Sequence, residues 1–256
     1  MIRFADEHTI ADVRHLWKTC FGDTDEFLDI VFGEQYKYEH TLLYFDGGEP
    51  VAALHMFPYT LSFHGADVPF YYLGGLGTMP EYRGRGYMGQ LIHRSFEVMR
   101  ERAIPLSILV PAEESLMAYY NRFGFEQVFE KSDTPLPSIK ELIDRNETSE
   151  KAYQEFDKVF NWQDVTVQKT FDNFLAIVRD AETDGFPDKF NLNGMAKIID
   201  APYLKDLYRQ STGLAIHEDR DERLLCRLLF GYKIDKLPKQ YHLFPQQRPV
   251  INLMLE

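Results

Sequence analysis

The chain has little cysteine and no long apolar run. Its 256 residues include 2 cysteines, Cys20 and Cys226, far apart in the sequence. So few cysteines argue against a disulfide-stapled fold or a cysteine-rich zinc site, and no metal is expected. No stretch approaches the roughly 18 uninterrupted apolar residues of a membrane span, and the N-terminus has no apolar signal region. The sequence therefore predicts a cytoplasmic chain without a membrane partner.

Basic residues are also in deficit. Lys and Arg total 28 against 40 Asp and Glu, which gives a formal net charge of −12 at pH 7. A sequence-independent nucleic-acid binder normally carries a basic face that neutralises phosphates, so no nucleic-acid partner is expected. An acidic surface tolerates cationic substrates, but acidic residues that serve solubility alone give the same balance.

Apolar residues, in contrast, are abundant. They make up 45% of the chain, enough for one large domain or two modest ones. Pro135 and Pro137 lead into a charge-dense stretch at 140–151, a change of texture typical of a domain exit. We therefore predict a first domain over residues 1–131 and a smaller C-terminal α/β domain over residues 132–256.

The apolar spacing predicts the elements of the first domain. Helical spacing predicts helices at 9–21, 25–32, 86–102 and 114–123. Strand patterns with intervening turn signals predict strands at 2–5, 41–45, 51–57, 59–63, 70–79, 106–111 and 125–130. In this order an antiparallel meander precedes a helical crossover, so the fold class is α+β, with a mixed central sheet flanked by helices.

The C-terminal part is less regular in its pattern. We predict helices at 164–180, 203–209 and 221–229 and a strand at 195–200. The chain contains no internal repeat and no low-complexity tract.

Residues 82–88, Tyr-Arg-Gly-Arg-Gly-Tyr-Met, form the most informative motif. They connect an apolar strand that ends at Met79 to a helix that begins near Gly86. The free N–H groups at a helix start point outward and glycine allows close approach of a ligand. The helix dipole, together with Arg83 and Arg85, favours negative charge. The motif therefore predicts a pyrophosphate-binding loop.

A second motif, Tyr-Asn-Arg-Phe-Gly-Phe, lies at residues 120–125. Together the two motifs resemble those of the GNAT superfamily of N-acetyltransferases, over residues 1 to about 131. The pyrophosphate loop of that family reads Arg or Gln, two residues, Gly, one residue, then Gly or Ala. It falls here on Arg83, Gly86 and Met88. Met88 departs from the pattern, although Gly89 follows it directly.

The resemblance implies the acyl-CoA N-acyltransferase fold and direct transfer of an acetyl group from acetyl-CoA to a primary amine of a small molecule or a peptide lysine. In the family, the strand before the loop bends so that its backbone groups pair with pantetheine and polarise the thioester. The glycines between Leu73 and Met79 suit such a bulge, although glycines can also mark simple packing. The implied cofactor-binding residues are Leu76, Gly77, Thr78, Met79, Arg83, Gly84, Arg85, Gly86, Tyr87, Met88 and Gly89.

Tyr120 is the candidate general acid, by resemblance and because a phenol, with an ordinary pKa of about 10, is protonated at neutral pH. The alternative is an aromatic wedge beside Tyr119. His55 is one candidate base; a packing histidine in a strand is the alternative. The carboxylates of Glu81, Asp67 and Glu113 are further candidates, each equally consistent with a solvated surface charge.

The C-terminal part, from Gly194 onward, resembles the sterol-carrier-like domain of the enhanced intracellular survival acetyltransferases. The residues that carry this resemblance are 195–200, 224–231 and 244–249. Those enzymes acetylate aminoglycosides and lysines and place a C-terminal carboxylate in the active site, which implies Glu256 as a candidate base. The present chain is far shorter, so a reduced form of that architecture is expected.

Two other functions remain open. Gly84-x-Gly86-x-x-Gly89 matches the dinucleotide fingerprint, but Pro80 to Arg83 separate it from the strand and no acidic residue follows at the required place, which makes NAD binding the weaker alternative. The second is an acyl-CoA-binding pseudoenzyme or interaction module, which Met88 favours and Tyr120 opposes. The aromatic residues that form either core or acceptor pocket are Phe57, Tyr59, Phe70, Tyr71 and Tyr72. The sequence leaves open which amine is the acceptor, and it is compatible with a monomer or a homo-oligomer.

Overall fold

The computed structural model describes residues 1–131, 139–160, 164–185, 192–218 and 220–251. The strands are β1 (Ile2–Phe4), β2 (Thr41–Asp46), β3 (Glu49–Phe63), β4 (Ala66–Thr78), β5 (Leu106–Leu109), β6 (Glu126–Gln127), β7 (Thr166–Gln168) and β8 (Met195–Ile198). The helices are α1 (Ile10–Phe21), α2 (Asp25–Ile30), α3 (Tyr87–Glu101), α4 (Met117–Asn121), α5 (Ile139–Asp144), α6 (Ser149–Phe160), α7 (Phe171–Asp184), α8 (Ala201–Thr212) and α9 (Glu222–Phe230). No helix within these ranges is both long and apolar enough to cross a membrane.

One mixed sheet organises the described strands, in the order β1-β2-β3-β4-β5-β8-β6, with β7 also paired to β3. The β4–β5 pair is parallel, and α3 provides the crossover between these two strands. The α+β class, with a mixed sheet flanked by helices, is therefore confirmed.

The two faces of the sheet are covered by different helices. Leu54 and Met56 of β3 pack on the face that carries α3, whereas Ala53, directly before Leu54 in the strand, packs with Val13 of α1. This follows from the alternation of side chains along a strand. Helix α3 buries Leu91, Ile92, Phe96 and Met99, at the spacing of an amphipathic helix.

Two strands from beyond residue 131 enter this sheet. β8 lies between β5 and β6 and is antiparallel to both, and β7 pairs with residues 60–62 of β3. The division of the chain at residue 131 stays a proposal. In that division, β7 and β8 are contributions of the second domain to the sheet of the first.

The strands predicted at 51–57 and 59–63 are a single strand, β3, which runs through Pro58. A proline cannot donate to a ladder, and it is tolerated in a strand where one edge has no neighbour. Pro58 meets this condition because the pairing with β2 ends at His55 and the pairing with β7 begins only at Thr60. The prediction of two separate strands was therefore wrong.

The helix predicted at 164–180 is also corrected, since its first residues form β7 and the helix α7 begins at Phe171. Thr170 is the N-cap of α7, where its side chain accepts a hydrogen bond from the Asn173 N–H in a capping box. The charge-dense stretch at 140–151, interpreted as a domain exit, contains α5 and the start of α6. Their buried Leu142 and Phe156 pack with Phe174 of α7.

Several predicted boundaries change as well. The helix at 25–32 ends at Ile30 and continues as a π-helical turn, and the helix at 114–123 is a 3₁₀ turn followed by the short α4. The strand at 125–130 is reduced to β6, Glu126–Gln127. The strand at 195–200 and the helices at 203–209 and 221–229 are confirmed as β8, α8 and α9.

Candidate active site

A cleft of about 320 Å³ opens where β4 and β5 part. The two strands pair from Phe70 with Leu106 to Tyr72 with Ile108, after which β4 continues to Thr78 while β5 ends at Leu109. One wall is β4 itself, residues 73–76. The opposite wall holds Val110, Ala112, Leu116 and Tyr120, and the third side holds Trp17, Phe21 and Asp23.

A bulge in β4 shapes the first wall. Ala53 of β3 pairs with Gly77 and His55 pairs with Gly74, so two residues of β4 oppose one residue of β3. Gly75 supplies the extra residue in a left-handed conformation, with φ +56°, and a Cβ there would lie 2.5 Å from Trp17 Cζ3 and 2.6 Å from His55 Cδ2. The glycine-rich strand thus forms the bulge that its sequence predicted, and the bulge takes backbone groups out of the regular ladder at the cleft.

The predicted pyrophosphate loop follows directly after β4. Gly84 and Gly86 have φ values of 75° and 78°, and Gly86 is the N-cap of α3. Because glycine has no side chain, the N–H groups of the first turn stay open to a ligand. The exposed Arg83 donates from Nε to the Thr78 carbonyl at 3.1 Å, and Arg85 donates to the Glu81 carbonyl at 3.3 Å. Both guanidiniums therefore border the helix start.

The start of α3 is fixed to the β2–β3 hairpin through Tyr87. Its hydroxyl donates to Asp46 Oδ2 at 2.7 Å, a hydrogen bond that raises the pKa of Tyr87. The Tyr87 ring stacks on Tyr44 with centroids 4.1 Å apart, and Arg85 lies 3.5 Å from the same Asp46 oxygen. Tyr87 therefore holds the loop in place. The sequence predicted only a cofactor-binding role for Tyr87.

Met88 and Gly89 complete the first turn of α3. Met88 is half-buried and packs on the apolar residues beneath the helix. At Gly89 a Cβ would lie 3.4 Å from the Phe123 ring, an ordinary van der Waals contact. The side chain of Met88 thus points into the protein, so the departure from the family pattern leaves the loop uncrowded.

Leu76 to Met79 take different positions along the end of β4. Leu76 lines the cleft. Gly77 is buried against Cys20, and a Cβ added to it would lie 3.0 Å from Cys20 Sγ. The Thr78 carbonyl accepts a hydrogen bond from Arg83. The Met79 N–H donates to Val51 O at 2.9 Å. The predicted cofactor residues therefore form a continuous path from the cleft to the loop.

Tyr120 lies on α4, is 8% exposed, and lines the same cleft as the bulge. It makes edge contacts with Tyr119 and Phe125, with ring centroids 5.3 and 6.1 Å away. Tyr120 and the glycine bulge therefore share one cleft. The role of Tyr120 as general acid stays a prediction.

His55 lies behind the bulge and does not line the cleft; its side chain is 1% exposed. Thr41 Oγ1 donates to Lys37 O at 3.1 Å, so it accepts from His55 Nδ1–H at 3.0 Å. Among the described residues, Nε2 has no hydrogen-bond partner. Burial lowers the pKa of His55 to about 3, so the ring is neutral near pH 7 and binds a proton weakly. Its role as a base stays a prediction.

The burial of His55 predicts a pH-dependent stability. The unfolded chain takes up a proton below the ordinary pKa of 6.5, whereas the folded chain does so only near pH 3. The contribution of His55 to the free energy of unfolding should therefore be constant above pH 6.5 and fall below it, by up to about 1.4 kcal/mol per pH unit. Urea titrations between pH 7 and about 5, where carboxylates stay mostly ionised, give the free energy of unfolding at each pH. Its slope against pH should be smaller for His55→Gln than for the wild type. His8→Gln, at an exposed site, is the control; equal slopes in all three proteins would contradict the prediction.

The other candidate bases lie elsewhere or outside the described residues. Glu256 lies outside them. Glu81 and Glu113 are exposed, and Glu113 accepts from Ser115 Oγ at 3.0 Å. Asp67 pairs with Ser62 in the β3–β4 hairpin and borders a different groove. The structure does not bring these three carboxylates to the cleft.

The aromatic residues near the hairpin divide between cleft and core. Phe57 and Tyr72 line the cleft. Tyr59 stacks on Phe70 with centroids 5.9 Å apart, and the hydroxyl of Tyr71 accepts from Arg102 at 3.1 Å on the opposite face. Only two of the five therefore form the cleft wall.

The sequence did not predict six residues of the cleft: Val110, Ala112 and Leu116 on one wall, and Trp17, Phe21 and Asp23 on the third side. Trp17 Nε1 donates to Asp23 Oδ2 at 2.7 Å, across the turn that Gly22 makes at the end of α1. The helical spacing of α1 predicted burial of Trp17 but carries no information about which part of the sheet it meets.

Comparisons with known proteins agree with this geometry. A family model described as "Acetyltransferase (GNAT) domain" matches residues 1–128. No curated protein matches the chain. Among solved structures, the chain is similar to Eis1 from Mycobacterium abscessus, at 14% identity and a TM-score of 0.55, covering 91% of this chain and 63% of that chain.

Two further structures show the same fold. A GCN5-related N-acetyltransferase from Anabaena variabilis has 20% identity and a TM-score of 0.53, over 69% of this chain and 47% of that chain. A probable N-acyltransferase from Enterococcus faecalis has 15% identity and a TM-score of 0.51, over 80% and 74%. The chain thus spans only about half to three quarters of these proteins.

Proposed function

The chain belongs to the GNAT acetyltransferase family, and we propose that it transfers an acetyl group from acetyl-CoA to a primary amine of a small molecule or a lysine side chain. The observation that carries this proposal is the cleft between the parting strands β4 and β5. The glycine bulge lies on one side of it and Tyr120 on the other. The open start of α3 follows just beyond the end of β4.

Three groups would divide the work. The N–H groups at the start of α3, with Arg83 and Arg85, would bind the pyrophosphate. Backbone groups at the Gly75 bulge would pair with the pantetheine arm and polarise the thioester carbonyl. The amine nitrogen then bonds to the acetyl carbon and releases a proton to solvent, while the carbon–sulfur bond breaks, the sulfur accepts a proton from Tyr120, and Tyr120 regains a proton from solvent.

The inward direction of Met88 supports an enzyme over a pseudoenzyme. Met88 was the residue that favoured loss of cofactor binding, and its side chain packs beneath α3 instead of over the loop. The dinucleotide interpretation is weaker because the 3₁₀ turn Pro80–Tyr82 separates the glycines from β4, whereas the fingerprint needs a glycine turn directly after its strand.

The direct test is the melting temperature with and without acetyl-CoA, for wild type and Arg83→Glu. Ligand at about 100 times its dissociation constant should stabilise the wild type by about 2.7 kcal/mol, which is a shift of several degrees for a protein of this size. We expect Arg83→Glu to lose most of this shift, because a carboxylate then borders the phosphates.

Arg209→Glu makes the same change of charge at an exposed position on α8 and should keep the shift. An equal shift in both variants would rule out Arg83 as a phosphate ligand. No shift with acetyl-CoA, together with a shift with NAD, would support the dinucleotide interpretation.

A further inference from the structure

The third side of the cleft places a carboxylate at a defined distance from the bulge. The six-membered edge of the Trp17 indole faces Gly75, where a Cβ would lie 2.5 Å from Cζ3 and 2.9 Å from Cε3. At the other side of the same ring, Nε1 donates to Asp23 Oδ2 at 2.7 Å. Asp23 and Gly75 line the same cleft, so the width of one indole separates the carboxylate from the predicted reaction centre.

This separation matters because an amine attacks a thioester only when it is neutral. A carboxylate in direct contact with the reacting nitrogen would favour its ammonium form and oppose the attack. A carboxylate one ring away can instead bind a second cation of the same molecule. The indole N–H occupies only part of the acceptor capacity of Asp23, which leaves room for an ammonium group.

The surroundings of Asp23 favour positive charge in a ligand. A second groove, of about 350 Å³, shares Asp23 and is also lined by Glu26 and Asp180. The basic side chains of α1, Arg14 and Lys18, pair with other carboxylates, at 2.7 Å to Asp29 and Asp25 respectively. These two cations are therefore engaged away from the cleft.

The lining of the cleft suits an apolar chain. The Trp17 ring lies between Asp23 and Gly75, and Phe57 and Tyr72 add aromatic surface to the same cleft. Aromatic faces bury methylene groups and attract a neighbouring cation. The cleft thus combines a wall for an aliphatic stem with one carboxylate for its charged end.

We propose that Asp23 selects diamine acceptors, by binding the ammonium group that does not react while the aromatic walls hold the methylene stem. The other amine, in its neutral form, lies at the bulge and takes the acetyl group. Its nitrogen bonds to the carbonyl carbon and gives up one proton, and CoA leaves as the thiol. This inference rests on the proposed acetyl transfer and adds the class of acceptor to it.

The test compares 1,5-diaminopentane with pentylamine as acceptors, with CoA release as the readout, for wild type, Asp23→Asn and Asp12→Asn. An ammonium–carboxylate contact corresponds to a preference of about tenfold in kcat/KM, beyond the statistical advantage of two reactive ends. We expect the wild type to show this preference, mainly through KM, and Asp23→Asn to lose it. Asp12, exposed on α1, is the matched control and should keep it.

The shift in melting temperature with acetyl-CoA, measured for each variant, distinguishes a failure of the proposed acetyl transfer from a failure of the proposed role of Asp23. If the wild type shows no such shift and acetylates neither amine, the proposed function fails and this inference with it. If the wild type acetylates both amines equally, or if Asp23→Asn keeps the preference, acetyl transfer stands and the role of Asp23 is wrong. An Asp23→Asn protein that keeps the melting shift is folded, so its loss of preference is then specific.

Discussion

Gly75→Ala is expected to lower the free energy of unfolding by about 2–5 kcal/mol and to abolish acetyl transfer. Two costs add up in this value. A residue with a Cβ pays about 1–2 kcal/mol for the left-handed conformation, and forcing a methyl group into a packed interior costs about 1–3 kcal/mol. The new methyl group would lie 2.5 Å from Trp17 and 2.6 Å from His55, and both neighbours are rigid rings.

Gly65→Ala separates these two costs. Gly65 also has a left-handed backbone, with φ +77°, but an added Cβ would meet nothing within 4 Å. Only the backbone cost of about 1–2 kcal/mol should remain in that variant. Urea unfolding of both variants and the wild type gives the comparison. If Gly75→Ala lost no more stability than Gly65→Ala, the bulge would be able to relax, and its tight packing against α1 would not shape the cleft.

Tyr120→Phe is expected to cut kcat by about 10²–10⁴-fold, the range typical of a missing general acid or base. The ring stays, so the edge contacts with Tyr119 and Phe125 should persist, and only the proton donor is removed. The melting shift with acetyl-CoA should therefore survive. The measurement is steady-state CoA release at saturating amine, together with the melting shift.

Tyr119→Phe provides the matched control. Tyr119 is the adjacent residue on α4, half-buried, and its ring contacts Tyr120 without lining the cleft. The same loss of a hydroxyl at this position should leave kcat unchanged. Equal losses in the two variants would indicate a general effect on α4, and wild-type turnover in Tyr120→Phe would remove its catalytic role.

Local patterns were sufficient to predict most of the first part of the fold. The spacing of Leu91, Ile92, Phe96 and Met99 determines α3, because burial of one face is a property of neighbours along the chain. The bulge was also predictable, since three glycines in a strand of otherwise apolar residues favour a departure from the regular ladder. Both signals lie within a few residues of the feature that they predict.

The remaining features depend on residues that are far apart in the sequence. The separate strands predicted at 51–57 and 59–63 are one strand because Pro58 is tolerated between the residue where the β2 pairing ends and the one where the β7 pairing begins. Asp23 gave no signal, since a carboxylate after a helix resembles any surface charge until Trp17 holds it at the cleft. The charges of 140–151 similarly concealed α5, whose apolar side meets α7 only in the folded chain.

The position of β8 has a consequence for synthesis of the protein. During translation β5 emerges early, but the strand that covers its free edge, β8, emerges only after helices α4 to α7 have also been made. An uncovered strand edge is a template for pairing with another chain, and partly folded chains with such edges aggregate. We therefore expect the nascent chain to be most dependent on chaperones in the interval between these two strands, and least dependent once Met195–Ile198 has left the ribosome.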